Sequence, residues 1–236
     1  MKYIFRNTND TLTIVTINTT SNKKIAMKGE KIVQTSHFSR EQFNEAKGQT
    51  TMRDFFAHDK KVCFDCPFAV SNGAKLSACY THKVMQYSGF LSSLRSIKYN
   101  SFDEIPMLTN DIHEAIVTSA KNKFVRFGTY GEPTLLPINL VRDICEVAKN
   151  WTGYSHQWQI KNEYSLYFMA STHTEGQQLL AHALGWRSFV ATDNVIDKFV
   201  KCPASKEMNF ISNCSKCGLC SGTEGKGKKS ITILTH

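Results

Sequence analysis

Seven of the eight cysteines fall into two groups whose spacing suits metal chemistry. The tighter group is Cys202 followed by Cys214-Ser215-Lys216-Cys217-Gly218-Leu219-Cys220. Two residues between cysteines let the backbone turn so that both sulfurs face one point, and a further thiol a short loop upstream completes four-fold coordination. The segment around them is polar, unlike the apolar setting of a cysteine that serves as a small buried hydrophobe. Zinc and an iron-sulfur cluster both accept four thiolates, so the spacing leaves the metal open. The second group is Cys63 and Cys66, two residues apart, with Pro67 after them and Cys79 further on. Three thiolates would hold a catalytic zinc with one open position or a cubane cluster with one iron left free; His82 as a fourth ligand would instead close a structural zinc site. Cys145 is different, because it shares an apolar helical face with Val141 and Ile144 and reads as core.

Between the two groups lies Val125-Arg126-Phe127-Gly128-Thr129-Tyr130-Gly131-Glu132-Pro133. A strand ending in Gly-Thr-Tyr-Gly would present backbone amides and the Glu132 carboxylate where parallel sheets bind polar small molecules. Gly153-Tyr154-Ser155-His156-Gln157-Trp158 sets an imidazole at the end of a short strand, where His156 could act as acid or base, substrate donor or metal ligand. Ser171-Thr172-His173 forms another polar cluster at the same predicted rim. No Ser-His-Asp order, Walker A loop or complete deaminase signature of His-x-Glu followed by Pro-Cys-x-x-Cys is present, which leaves those mechanisms without sequence support.

These residues need a scaffold, and the chain has the material for one. With 41% hydrophobic and 11% aromatic residues in 236, it has the composition of a packed globular protein. Residues 1–60 read as a β-rich lead-in: Leu12, Ile14, Val15 and Ile17 alternate with threonines, and Ser39 followed by Gln42 resembles a capping box. Residues 61–200 read as an α/β core that opens on a turn-rich cysteine loop from Cys63 to Tyr80. A helix from Val84 to Ile97 follows. Next come a helix carrying Ile112, Ala115 and Ile116, a strand from Phe124 to Gly128, and a helix carrying Val141 and Ile144. A strand from Leu166 to Ala170, a helix stopped at Gly185 and a strand from Ser188 to Ala191 continue the alternation. Repeating βα units predict parallel strands in a partial (β/α) barrel or an open sheet, with functional loops at the carboxyl ends. After Asp197 the texture changes, so residues 201–236 read as a cysteine-rich metal-binding tail closing on a strand from Ser230 to Thr235.

On that topology Tyr130, Gly131, Glu132, His156 and the Cys63 group should border one pocket, provided the cysteine loop also follows a strand, around Lys61 to Phe64. The first ten residues hold only a short apolar run, Tyr3 to Phe5, and no stretch is long enough to span a membrane, which together predict a cytoplasmic protein with reduced thiols. A net charge of +9 raises the prospect of nucleic acid or a nucleotide as partner, with Lys226, Lys228 and Lys229 as the densest basic run. In that reading both cysteine groups bind structural zinc and the lysines neutralise phosphates.

The segment Arg126 to Pro137 resembles the Gly-Gly-Glu-Pro segment that ends the second barrel strand of radical S-adenosylmethionine enzymes. That resemblance implies that Gly131 and Glu132 contact the methionine amino group, with Tyr130 standing where the family has glycine. It also implies that Cys63, Cys66 and Cys79 hold the iron-sulfur cluster, in place of the family's Cys-x3-Cys-x2-Cys. From Cys63 to His236 the chain further resembles a family of uncharacterised cysteine-rich bacteriophage proteins. The residues that carry this are Arg126 to Pro133, Gly153 to Trp158, Met169-Ala170-Ser171, Gly185-Trp186-Arg187 and the Cys202 to Cys220 block. This second resemblance implies a phage origin, and hence a host-cell cytoplasm.

Overall fold

The computed structural model describes residues 1–192, 196 and 198–234, so Asp197 and Thr235 lie outside the described residues. The chain opens with β1 (Lys2–Arg6), β2 (Thr11–Thr19) and β3 (Lys31–Ser39). β1 and β2 pair antiparallel, as do β2 and β3. Ser39 then caps α1 (Arg40–Lys47) through the expected capping box, its side chain taking the Gln42 N–H while Gln42 reaches back to the Ser39 N–H. Three more helices follow, α2 (Met52–Ala57), α3 (Lys60–Cys63) and α4 (Val84–Arg95). The segment Lys61 to Phe64 is therefore a helical turn and not a strand; the strand that leads into the cysteine loop is β3, by way of α1 to α3.

The regular part runs α5 (Asn110–Ala120), β4 (Phe124–Tyr130), α6 (Ile138–Val147), β5 (Asn150–Thr152), β6 (Tyr154–Ser155), β7 (Met169–Thr172), α7 (Glu175–Ala183) and β8 (Ser188–Thr192). It ends with β9 (Val200–Lys201), the short α8 (Cys214–Cys217) and β10 (Ile231–Leu234). β3, β4 and β5 pair in parallel, and β6, β7, β8, β10 and β9 do likewise. Among the described residues the result is two five-stranded sheets, ordered β1-β2-β3-β4-β5 and β6-β7-β8-β10-β9. Only Gly153 separates β5 from β6, and its carbonyl accepts the Met169 N–H at 3.0 Å, so one run of chain serves as edge strand to both sheets. Among the described residues the array is open, with no barrel closure. β10 lies between β8 and β9, which makes the end of the chain an interior strand of the sheet.

Side chains in register on parallel strands share a face. Val33, Val125, Phe127 and Ala170 face α5, α6 and α7, where Ile116, Leu140, Ile144, Cys145 and Ala181 complete the main core. A second core joins α1, α2 and α4 to β2 and β3 through Leu12, Phe38, Phe43, Phe55, Phe56 and Leu94. The opposite face of the parallel strands carries Ile32 and Phe124, Tyr154 and Met169, Phe189 and Ile231; against it packs the chain around Cys202, Cys214 and Cys220. No helix among the described residues is long and apolar enough to cross a membrane.

Candidate functional site

The cysteine loop is built around a buried acid. Asp59 is fully buried and accepts the N–H groups of Val70 at 2.9 Å and Ser71 at 3.1 Å, together with the Ser71 hydroxyl. Asn72 closes the loop by donating to the carbonyls of Phe64 at 2.6 Å and Cys66 at 2.9 Å. Within this frame burial pushes the Cys63, Cys66 and Cys79 thiols up, Cys66 to about 12, and Cys63 is raised further by Asp59, by the other two cysteines and by Glu132. His82 reaches the Cys79 thiol through its backbone N–H, while its ring lies 4.1 Å from that of Phe56 and its Nε2 is 4.0 Å from Asp59.

The Gly128 to Glu132 turn docks directly on this loop. Gly131 has φ +78°, and a Cβ there would stand 2.9 Å from His37 Cβ and 3.3 Å from Val62 Cβ, so only glycine fits between β3 and α3. The Glu132 N–H donates to the Val62 carbonyl at 2.7 Å, one residue before Cys63. The Glu132 carboxylate is buried, and that burial raises its pKa to about 7 against the opposing hydrogen bonds from Ser155, His156 and Thr134. Its Oε2 accepts the His156 N–H at 2.9 Å, tying β4 to the end of β6. Tyr130 lies in the aromatic core with Phe38, Phe56 and Phe90, and its hydroxyl is 2.5 Å from Gln42 Nε2.

His156 and His173 follow β6 and β7, and their rings stack at 5.4 Å. Burial holds both imidazoles neutral, taking His156 down to about 3, and the Nε2 atoms of both are buried without a hydrogen-bond partner. They border a cavity of about 140 Å³ with Asp65, Pro67, Gln157 and Ser171. Of the residues expected to border one pocket, only His156 lines this cavity. The cysteine loop reaches it through Asp65 and Pro67, whereas Cys63, Cys66, Cys79, Tyr130, Gly131 and Glu132 do not line it.

The second cysteine group is held by backbone contacts. Cys214 and Ser215 donate to the carbonyls of Lys24 at 3.0 Å and Ile25 at 2.8 Å, and Asn150 Nδ2 donates to the Ser215 carbonyl at 2.6 Å. Gly218 has φ +63° and ends α8 against Asn150. The Gly153 N–H donates to the Cys220 carbonyl at 3.2 Å. Arg187, which sequence reading did not single out as a site residue, gathers the carbonyls of Leu219, Ser221 and Lys229 at 2.9, 2.5 and 2.5 Å. Its only signal was the Gly-Trp-Arg segment. Burial raises the thiols of Cys202, Cys214 and Cys220, Cys214 to about 11, and each is pushed up further by other members of the set. All eight cysteines are free thiols. Among the described residues no group of three or more His, Cys, Asp or Glu side chains meets the geometry of a metal site. The structure therefore gathers each cysteine group into one locality without arranging it around an ion.

No family model, no curated protein and no solved structure matches the chain.

Proposed function

We propose that the chain is a phage-type iron-sulfur or metal protein of the radical S-adenosylmethionine kind. The observation that carries this reading is the bond from the Glu132 N–H to the Val62 carbonyl, which joins the glycine-rich end of β4 to the loop of Cys63, Cys66 and Cys79. The donor types suit a cation, though the side chains are not arranged around one: Cys63, Cys66 and Cys79 stand near Asp59 and Glu132, and the Cys63 thiol is raised by burial and by all of these groups, a concentration of potential negative charge that a metal centre would relieve. In this reading Cys63, Cys66 and Cys79 hold a cluster, and Gly131 and Glu132 hold the methionine end of S-adenosylmethionine. Cys202, Cys214, Cys217 and Cys220 hold an auxiliary cluster or zinc, four sulfur donors with the backbone already fixed around them. The cluster would supply one electron to cleave the sulfonium, yielding a radical that takes hydrogen from a substrate. The chain's own residues do the rest: His156 and His173 wall the adjoining cavity with neutral hydrogen-bonding groups, and Glu132 fixes the end of β6 beside it.

Anaerobic purification with metal analysis and visible spectroscopy tests this. A brown protein with a broad band in the blue, bleached by reductant and diminished in a Cys63→Ser, Cys66→Ser variant, is the expected result. A colourless protein that carries only zinc would overturn it and leave a zinc-stabilised binding protein, for which the lysines would be the contacts to nucleic acid.

A further inference from the structure

We propose that Arg126, together with Tyr80, forms an oxyanion-binding subsite that takes the carboxylate or phosphoryl group of a small substrate. Arg126 lies on β4 in register with Gln34 of β3 and Thr152 of β5, on the face turned away from α5 and α6. Its Nη2 donates to the Tyr80 hydroxyl at 2.9 Å, and the guanidinium carbon lies 5.8 Å from the centre of the Tyr80 ring. Tyr80 is 55% exposed, so the pair is open to solvent.

A guanidinium carries five N–H donors in a rigid fork. Among the described residues the one side-chain hydrogen bond of Arg126 is that to Tyr80, and no carboxylate lies within ion-pairing distance. Five of the other six arginines are engaged, and the sixth, Arg53, is exposed on α2. Arg6 and Arg40 pair with Asp103, Arg142 pairs with Asp143, and Arg95 and Arg187 are spent on backbone carbonyls. A half-buried fork with most of its donors free suits a planar or tetrahedral oxyanion, which it can hold through two parallel bonds.

Tyr80 immediately follows Cys79, so an oxyanion on this pair would lie beside the first cysteine group. The role as a substrate subsite rests on the enzyme reading above; the binding itself does not.

The test uses the full chain, purified anaerobically, titrated with inorganic phosphate and separately with succinate while the arginine side-chain N–H signals are followed by NMR. Saturable binding of one of the two is expected, phosphate marking a phosphoryl ligand and succinate a carboxylate. Arg126→Gln should weaken it about tenfold or more, the scale of a lost charge-assisted pair. Arg126→Lys keeps the charge and loses the fork, and should fold as the parent does and still bind more weakly; Arg142→Gln should bind as the parent does. Absence of saturable binding to either anion, or parental binding by Arg126→Gln, would overturn the proposal. So would an Arg126→Gln protein that loses metal together with the anion, since Arg126 would then be a counter-charge for the cysteines. A colourless protein that still binds through Arg126 would keep the subsite and remove the radical reading.

Discussion

His37 shows what a single buried side chain contributes. It is fully buried, its Nδ1 lies 2.9 Å from Thr13 Oγ1, and burial takes its pKa down to about 3. The unfolded chain protonates the same imidazole near the ordinary value of about 6.5. The folded pKa is therefore the lower one, and the stability contributed by keeping His37 neutral is complete above about pH 6.5 and is lost as the pH falls toward 3. The expected slope from this residue is about 1.4 kcal/mol per pH unit in that window. Denaturant unfolding of a His37→Gln variant at several pH values should show a slope shallower by one proton; an unchanged slope would mean that the ring titrates freely. Legibility at this scale was uneven. Gly131 and Glu132 stood out because a Gly-Glu-Pro turn after a strand has a recognisable composition, while His37 and Asp59 did not, because burial of a polar residue depends on what packs over it. Tyr130 read as part of a rim because its neighbours belong there, but the ring turns into the aromatic core.

Elements were legible where one period dominated. The capping box at Ser39, the helix from Val84 and the strand from Phe124 all form as their patterns predict, within a residue or two at the ends. β3 was missed, since Lys31–Ser39 alternates too little to betray a strand whose two edges are both paired. The strand expected from Leu166 begins instead at Met169, because Asn162–Leu166 winds into a 3-10 turn that buries Tyr164 against Leu136. The block around α8 is an element without regular structure: its backbone is tied to Lys24, Ile25, Gly153 and Arg187, and nearness of those partners cannot be read from local sequence. If Cys202, Cys214, Cys217 and Cys220 bind a metal, its binding free energy is folding free energy for this block. Cys217→Ser should then lower metal content and melting temperature together, and chelator treatment of the parent should reproduce the loss of stability. Full metal content with unchanged melting in that variant would sink the assignment.

At the scale of the whole molecule the question is whether two sheets make two units. The chain from Asn150 to Ser155 belongs to both, pairing with β4 in one half and β7 in the other. The main core crosses the same junction, since Phe5, Val15 and Val33 of the first sheet belong to one cluster with Phe168, Ala170, Ala181 and Trp186 beside the second. A unit that unfolded alone would have to expose half of that cluster while leaving the other half unpacked, which gives up buried apolar area on both sides. The expected behaviour is a single cooperative transition. Ile32→Ala lies in β3, at one end of the parallel array, and Ile231→Ala in β10, one strand in from the other end; both residues are almost fully buried. Each should destabilise by about 2–5 kcal/mol, and each should shift the same transition. Circular dichroism and the fluorescence of Trp151 and Trp186, one on each side of the junction, supply the readout. Coincident midpoints for both probes in both variants are predicted; an Ile231→Ala protein whose circular dichroism falls in two steps, with Trp151 changing only in the second, would show that the sheets unfold independently and that the shared strand is a hinge between domains.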